Sequence, residues 1–131
     1  MFDSIAIDWG TKKYGIALGD TKTGLVTPYQ IVLIDEFEQF FQAILKIKPS
    51  LHNCIISSNK NFSGGETTNS QASHSFAIDL QKSYPALQVI EYNERGTTAN
   101  YGKVQDHYAA ASLLTAYFRF VLHIPMEENS F

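Results

Sequence analysis

Apolar residues in the first third of the chain fall in short runs separated by glycine and charge, and then switch to helical spacing. Residues 4–9, Ser-Ile-Ala-Ile-Asp-Trp, form an isoleucine-rich run closed by Gly10, the pattern of a buried strand. Residues 14–19, Tyr-Gly-Ile-Ala-Leu-Gly, make a second strand, joined to the first as a hairpin through Gly10-Thr-Lys-Lys13. A polar turn from Asp20 to Gly24 leads to a third strand over 26–34, with Pro28 near its start, where an edge position tolerates the missing N–H. The period then changes. Phe37, Phe40, Phe41, Ile44, Leu45 and Ile47 follow the three-four spacing of an amphipathic helix, opened by Asp35-Glu36 and stopped before Pro49. Residues 53–57 are a short fourth strand, and Ser58 to Ser70 is a polar loop. From Gln71, the positions Ala72, Phe76, Leu80 and Tyr84 suggest a second helix ended by Pro85. Residues 87–92 are a fifth strand, 96–102 a loop, and 106–122 the third and longest helix.

The order β-β-β-α-β-α-β-α implies an α/β fold: a meander followed by crossovers, hence a mixed sheet with helices on its faces. Both faces of the first strand are apolar, with Ile5 and Ile7 on one and Ala6 on the other. That places it centrally, between the second and fourth strands, with the third helix against it. Ligands in such sheets gather beyond the carboxyl ends of the parallel strands. Three acids fall there: Asp8 ending strand one, Glu94 just after strand five, and Asp106 opening the last helix. Carboxylates converging from separate elements repel one another, and a divalent cation relieves that repulsion. Hard oxygen donors select Mg²⁺ or Mn²⁺ over zinc, and a pair of such ions suits in-line phosphodiester hydrolysis.

Composition narrows the field. The chain of 131 residues is one domain's length, and no apolar run approaches the roughly 18 residues of a membrane helix. A formal net charge of −3 excludes a uniformly basic nucleic-acid binder but leaves room for a local basic patch. The first eight residues lack the basic and long apolar regions of a secretory signal. The single cysteine, Cys54, lies in an apolar run, so we read it as core packing in a reducing cytoplasm.

Several segments together resemble the YqgF/RuvX family. Ala6-Ile-Asp-Trp-Gly-Thr-Lys-Lys-Tyr-Gly-Ile-Ala17 resembles the motif that opens an RNase H-like domain in that family. Gly24-Leu-Val-Thr-Pro28, Asn61-Phe-Ser-Gly-Gly-Glu66, Asn93-Glu-Arg-Gly-Thr-Thr98 and Asp106-His-Tyr-Ala-Ala-Ala-Ser-Leu-Leu114 are similar to its later motifs and follow in family order. The resemblance covers residues 4–120, within one domain spanning 1–131 and ending in a short tail, 124–131. It implies an RNase H-like α/β fold with a five-stranded sheet in the order 3-2-1-4-5 and helices on both faces. It also implies a hydrolase of ester bonds that needs Mg²⁺ or Mn²⁺, associated with processing the 5′ end of 16S ribosomal RNA precursors and also named for Holliday junction resolution. Asp8, Glu94 and Asp106 would be both the catalytic set and the metal ligands. Lys12, Lys13, Arg95, Thr97, Thr98 and Asn61 would meet the substrate, structured RNA ahead of branched DNA, with ribosomal precursor particles as a further partner and no membrane.

The chain also departs from the family pattern. Asn93 replaces an aspartate, Gly96 a bulky apolar residue, Lys13 an arginine, and Ser57-Ser58-Asn59 a Gly-Leu-Pro. Residues 99–105 are a shortened segment where the family carries further basic residues. These departures support a second reading, an RNase H-like module that has lost catalysis and acts in ribosome assembly or partner binding. Bland readings compete residue by residue: Asp106 as a helix N-cap, Glu94 and Arg95 as an exposed ion pair, and Gly10–Gly15 as a plain hairpin. The phosphate hairpin of actin-like kinases has the same Asp-x-Gly-Thr opening, but such proteins need two domains of this kind. His107 is turned away from Asp106 by one helical step, and His52, His74 and His123 lack metal-ligand spacing.

Overall fold

A computed structural model describes residues 1–58, 68–93 and 106–125. Its elements are β1 (Ser4–Asp8), β2 (Lys13–Gly19), β3 (Val26–Leu33), a single 3-10 turn (Ile34–Glu36), α1 (Phe37–Ile47), β4 (Asn53–Ser57), α2 (Thr68–Ser83), β5 (Gln88–Tyr92) and α3 (Asp106–Phe120). The five strands form one sheet in the order β3-β2-β1-β4-β5. β2 pairs antiparallel with β1 and β3, whereas β4 runs parallel to β1 and β5. This is the order expected above, with β1 at the centre. Pro28 lies opposite Ala17 on the edge strand β3, next to an irregularity at Ile16/Ala17, where its missing N–H disrupts no second ladder.

The alternation in β1 divides the core in two. Ile5 and Ile7 face α1 and α2, packing with Ile16, Leu18, Phe37, Phe41, Ile44, Ala77 and Leu80. Ala6 faces α3 with Ala17, Ile55, Ala110, Ala111, Leu114 and Phe118. The small side chains let α3 lie close to the sheet, and Gly19 carries this furthest. A Cβ built there would come 2.8 Å from Leu114 Cδ2 and 2.9 Å from Phe118 Cζ. The α1 aromatics thus serve the core: Phe37 and Phe41 stack at 5.1 Å and Phe40 is half-buried against them.

α2 differs from the sequence expectation. It begins at Thr68, three residues before Gln71, and its buried stripe is Ser70, Ser73, Ala77 and Leu80, while Ala72 is exposed. The buried Ser73 hydroxyl is satisfied inside the stripe, donating to the Ser70 carbonyl at 3.1 Å. Hydrophobicity alone cannot mark such a face. α3 ends two residues early, at Phe120, and Tyr108 is exposed. His123 adopts a left-handed φ of 56°, and the Ile124 amide returns to the Phe118 carbonyl at 2.9 Å. No helix among the described residues is long and apolar enough to cross a membrane.

Cys54 is fully buried in β4, and burial pushes its thiol up to about 12. Since only the thiolate attacks, the native protein should resist a thiol reagent at neutral pH and react once unfolded in denaturant. Stoichiometric labelling of the native protein within minutes would show that β4 opens far more readily than its packing implies.

Candidate active site

Because β1, β4 and β5 are parallel, Asp8, Ser57 and Tyr92 share one end of the sheet. Asp8 is half-buried and sits opposite Gly15 of β2. The β1–β4 register runs only as far as Ile7 opposite Ile56, whereas β4 and β5 remain paired through Ser57 and Tyr92. Beyond that point side chains and single amides take over. The Trp9 N–H donates to Ser57 Oγ at 2.8 Å, and the Ser58 N–H donates to the Tyr92 carbonyl at 3.0 Å.

The β1–β2 hairpin crosses this end tightly. A Cβ on Gly10 would lie 2.5 Å from the Lys13 carbonyl oxygen, a backbone clash that only glycine avoids. Its far side is tied to the sheet edge, where the Ile34 N–H donates to the Lys12 carbonyl at 3.2 Å. The side chains of Lys12 and Lys13 are exposed. Below the hairpin, Tyr14 is buried among Phe37 at 5.2 Å and Phe76 at 5.0 Å, with the Trp9 ring 6.5 Å away. Desolvation raises the Tyr14 pKa, and a hydrogen bond with Trp9 partly opposes the rise. Tyr14 is therefore a neutral support at physiological pH.

α3 crosses the face of the sheet opposite α1 and α2. Leu114 and Phe118 sit against Gly19, which pairs with Ser4 at the start of β1. Ala110 and Ala111 share an apolar cluster with Ala6, and the Tyr117 ring meets Tyr92 at 5.5 Å. Of the residues singled out from sequence, the structure thus describes Asp8, Lys12, Lys13 and the backbone position of Asp106. Asn61, Glu94, Arg95, Thr97 and Thr98 lie outside the described residues, and among the described residues no three His, Cys, Asp or Glu side chains converge. Ser57 is the residue to which sequence reasoning gave no role. Its signal is a buried hydroxyl at a strand end beside Asp8, visible only once β4 is registered against β1.

His52 Nδ1 is 3.0 Å from the Ser50 carbonyl, and His74 Nδ1 meets Glu91 Oε2 at 2.6 Å, tying α2 to β5.

Comparison with known proteins bears on the fold and the family. Two relatives bear the name "Putative pre-16S rRNA nuclease". The one from Paracoccus denitrificans is 30% identical over 70% of this chain and 59% of its own length. The one from Rhodobacter capsulatus is 28% identical over 70% of this chain and 58% of its own length. The chain thus spans less than two thirds of these relatives. Among solved structures, T. thermophilus RuvC in complex with a Holliday junction substrate superposes with a TM-score of 0.58 at 12% identity, covering 88% of this chain and 94% of that one. The fold is RNase H-like. Residues 3–119 match the family described as "RuvX: Holliday junction resolvase", and with that match over nearly the whole sheet and its helices, the chain belongs to the RuvX family.

Proposed function

We propose that the protein is a divalent-metal-dependent nuclease that hydrolyses phosphodiester bonds in structured RNA, with the 5′ region of 16S ribosomal RNA precursors as its substrate class. The observation that carries this reading is the position of Asp8: a half-buried carboxylate ending the central strand, beside the lysine hairpin, in a RuvX-family chain. The three acids assigned to this end, Asp8, Glu94 and Asp106, supply the hard oxygen donors that suit Mg²⁺ or Mn²⁺. When bound, the cation lowers the pKa of an attacking water and offsets charge on the leaving oxygen. The chain's own contribution is placement. The end of β1, paired with Gly15, holds Asp8, and in this reading α3 supplies Asp106 beside it. Lys12 and Lys13 bind phosphate oxygens from the hairpin, and Arg95, Thr97, Thr98 and Asn61 extend that contact.

The test is cleavage by the purified chain, with Mn²⁺ or Mg²⁺, of a precursor-like structured RNA and of a four-way DNA junction. RNA cleavage that stops on chelation supports the reading, and a preference for the junction reassigns the substrate. Absence of cleavage of either, with retained binding to ribosomal precursor particles, favours the non-catalytic module. The lysines give a second expected result. Lys12→Ala with Lys13→Ala should weaken binding equally across sequences and reduce the salt slope by about 0.9 per lost phosphate contact. An unchanged slope in filter-binding titrations would remove both lysines from the interface.

A further inference from the structure

Asp8 is gripped unequally by its two neighbouring strands. On the β2 side, regular antiparallel pairing continues to Asp8 itself, opposite Gly15. On the β4 side the register ends one residue earlier, at Ile7 and Ile56. The next contact across that gap comes from a side chain: Ser57 Oγ accepts the Trp9 N–H at 2.8 Å. That amide belongs to the peptide group joining Asp8 to Trp9, so holding it fixes the backbone torsion that follows the Asp8 α-carbon. Ser57 is itself buried, at 9% exposure, and paired with Tyr92 on its other side.

We propose that Ser57 is a positioning residue, whose hydroxyl, by accepting the Trp9 N–H, orients the Asp8 carboxylate for cation binding where the β1–β4 ladder has stopped. The inference rests on the nuclease reading and deepens it by naming what aims the central acid. The chemistry requires an acceptor and not a particular side chain. Threonine keeps the acceptor. Alanine removes it, and cysteine fills nearly the same space but accepts weakly.

The protein contains a single tryptophan, Trp9, adjacent to Asp8, so paramagnetic Mn²⁺ held by Asp8 should quench its fluorescence in a saturable way. Residues that orient a metal ligand commonly change metal affinity 10–100-fold when removed. The experiment titrates Mn²⁺ into wild type, Ser57→Ala, Ser57→Thr and Asp8→Asn, with a thermal melt of each without metal. Expected are a quenching midpoint about 10-fold higher for Ser57→Ala, a return toward wild type for Ser57→Thr, and loss of saturable quenching for Asp8→Asn. Should Ser57→Ala not fold, Ser57→Cys takes its place with the same shift expected. A lower melting temperature with an unmoved Mn²⁺ midpoint would show that Ser57 only supports the strand end, overturning the inference while leaving the nuclease reading intact. A midpoint that stays raised in folded Ser57→Thr would also overturn it. If wild type itself shows no saturable quenching, the metal-dependent reading fails, and the inference with it.

Discussion

Asp8→Asn is expected to reduce metal-dependent cleavage by more than about 100-fold, because even a residue one contact removed from a metal commonly costs 10–100-fold. The substitution is nearly isosteric, and the backbone pairing of Asp8 with Gly15 does not depend on the carboxylate, so the fold should survive. Its stability without metal should be unchanged or higher if Asp8 shares a site with Glu94 and Asp106 as proposed, since removing one negative charge would relieve their repulsion. Mn²⁺ should separate the two proteins further. At a hundredfold excess over its dissociation constant, a ligand bound only by the folded state adds about 2.7 kcal/mol, which for a domain of this size is a rise of roughly 10 °C in melting temperature. Wild type should show that rise and Asp8→Asn little of it. If Asp8→Asn melts lower and metal moves neither protein, Asp8 is a structural residue and the non-catalytic reading gains.

The second large effect lies where α3 meets the sheet. Phe118→Ala should cost about 3–5 kcal/mol, the usual range for deleting a buried aromatic side chain, because Phe118 is fully buried and its ring tip rests on Gly19. Domains hold only about 5–15 kcal/mol in total, so this variant should be close to unfolding near 37 °C. Gly19→Ala alone should cost about 1–3 kcal/mol by overpacking, since the added carbon would sit within 3 Å of both Leu114 and Phe118. Combining the two should cost less than their sum, because the cavity left by the ring accommodates the new methyl group. Urea unfolding of the four proteins measures the coupling, and strictly additive losses would mean that α3 shifts as a body on the sheet.

Both expectations depend on features of unequal visibility in the sequence. The central place of β1 could be read from Ile5, Ala6 and Ile7, because a strand apolar on both faces has to be covered twice. α1 was equally plain, since Phe37, Phe41 and Ile44 are large, regularly spaced and all buried. α2 was not, since its buried stripe contains Ser70 and Ser73, and the bond from the Ser73 hydroxyl to the Ser70 carbonyl hides polarity that a hydrophobic pattern scores as solvent-facing. At the site, Asp8 stood out as an acid inside an apolar run. Ser57 did not, since its significance depends on β4 being in register with a strand distant in sequence. Roles carried by such cross-strand placement are set by long-range pairing, which local periodicity does not encode.

The position of β1 has a consequence for the order in which the chain can assemble. Its partner on one side, β2, follows through a short hairpin, while on the other side Ser4 meets Asn53 across a separation of 49 residues. Closing the longer loop costs more entropy and is rewarded only when β4 docks. The meander of β1, β2 and β3 is therefore expected to form first, with β4 and β5 adding afterwards, the slow step typical of remote parallel pairing. Until β4 arrives, the apolar Ser4–Asp8 strand presents an unpaired edge to every other copy of the chain, a ready template for intermolecular sheet. Refolding yield should thus fall steeply with protein concentration, and the same central strand that aims Asp8 in the native state is the chain's main hazard on the way to it.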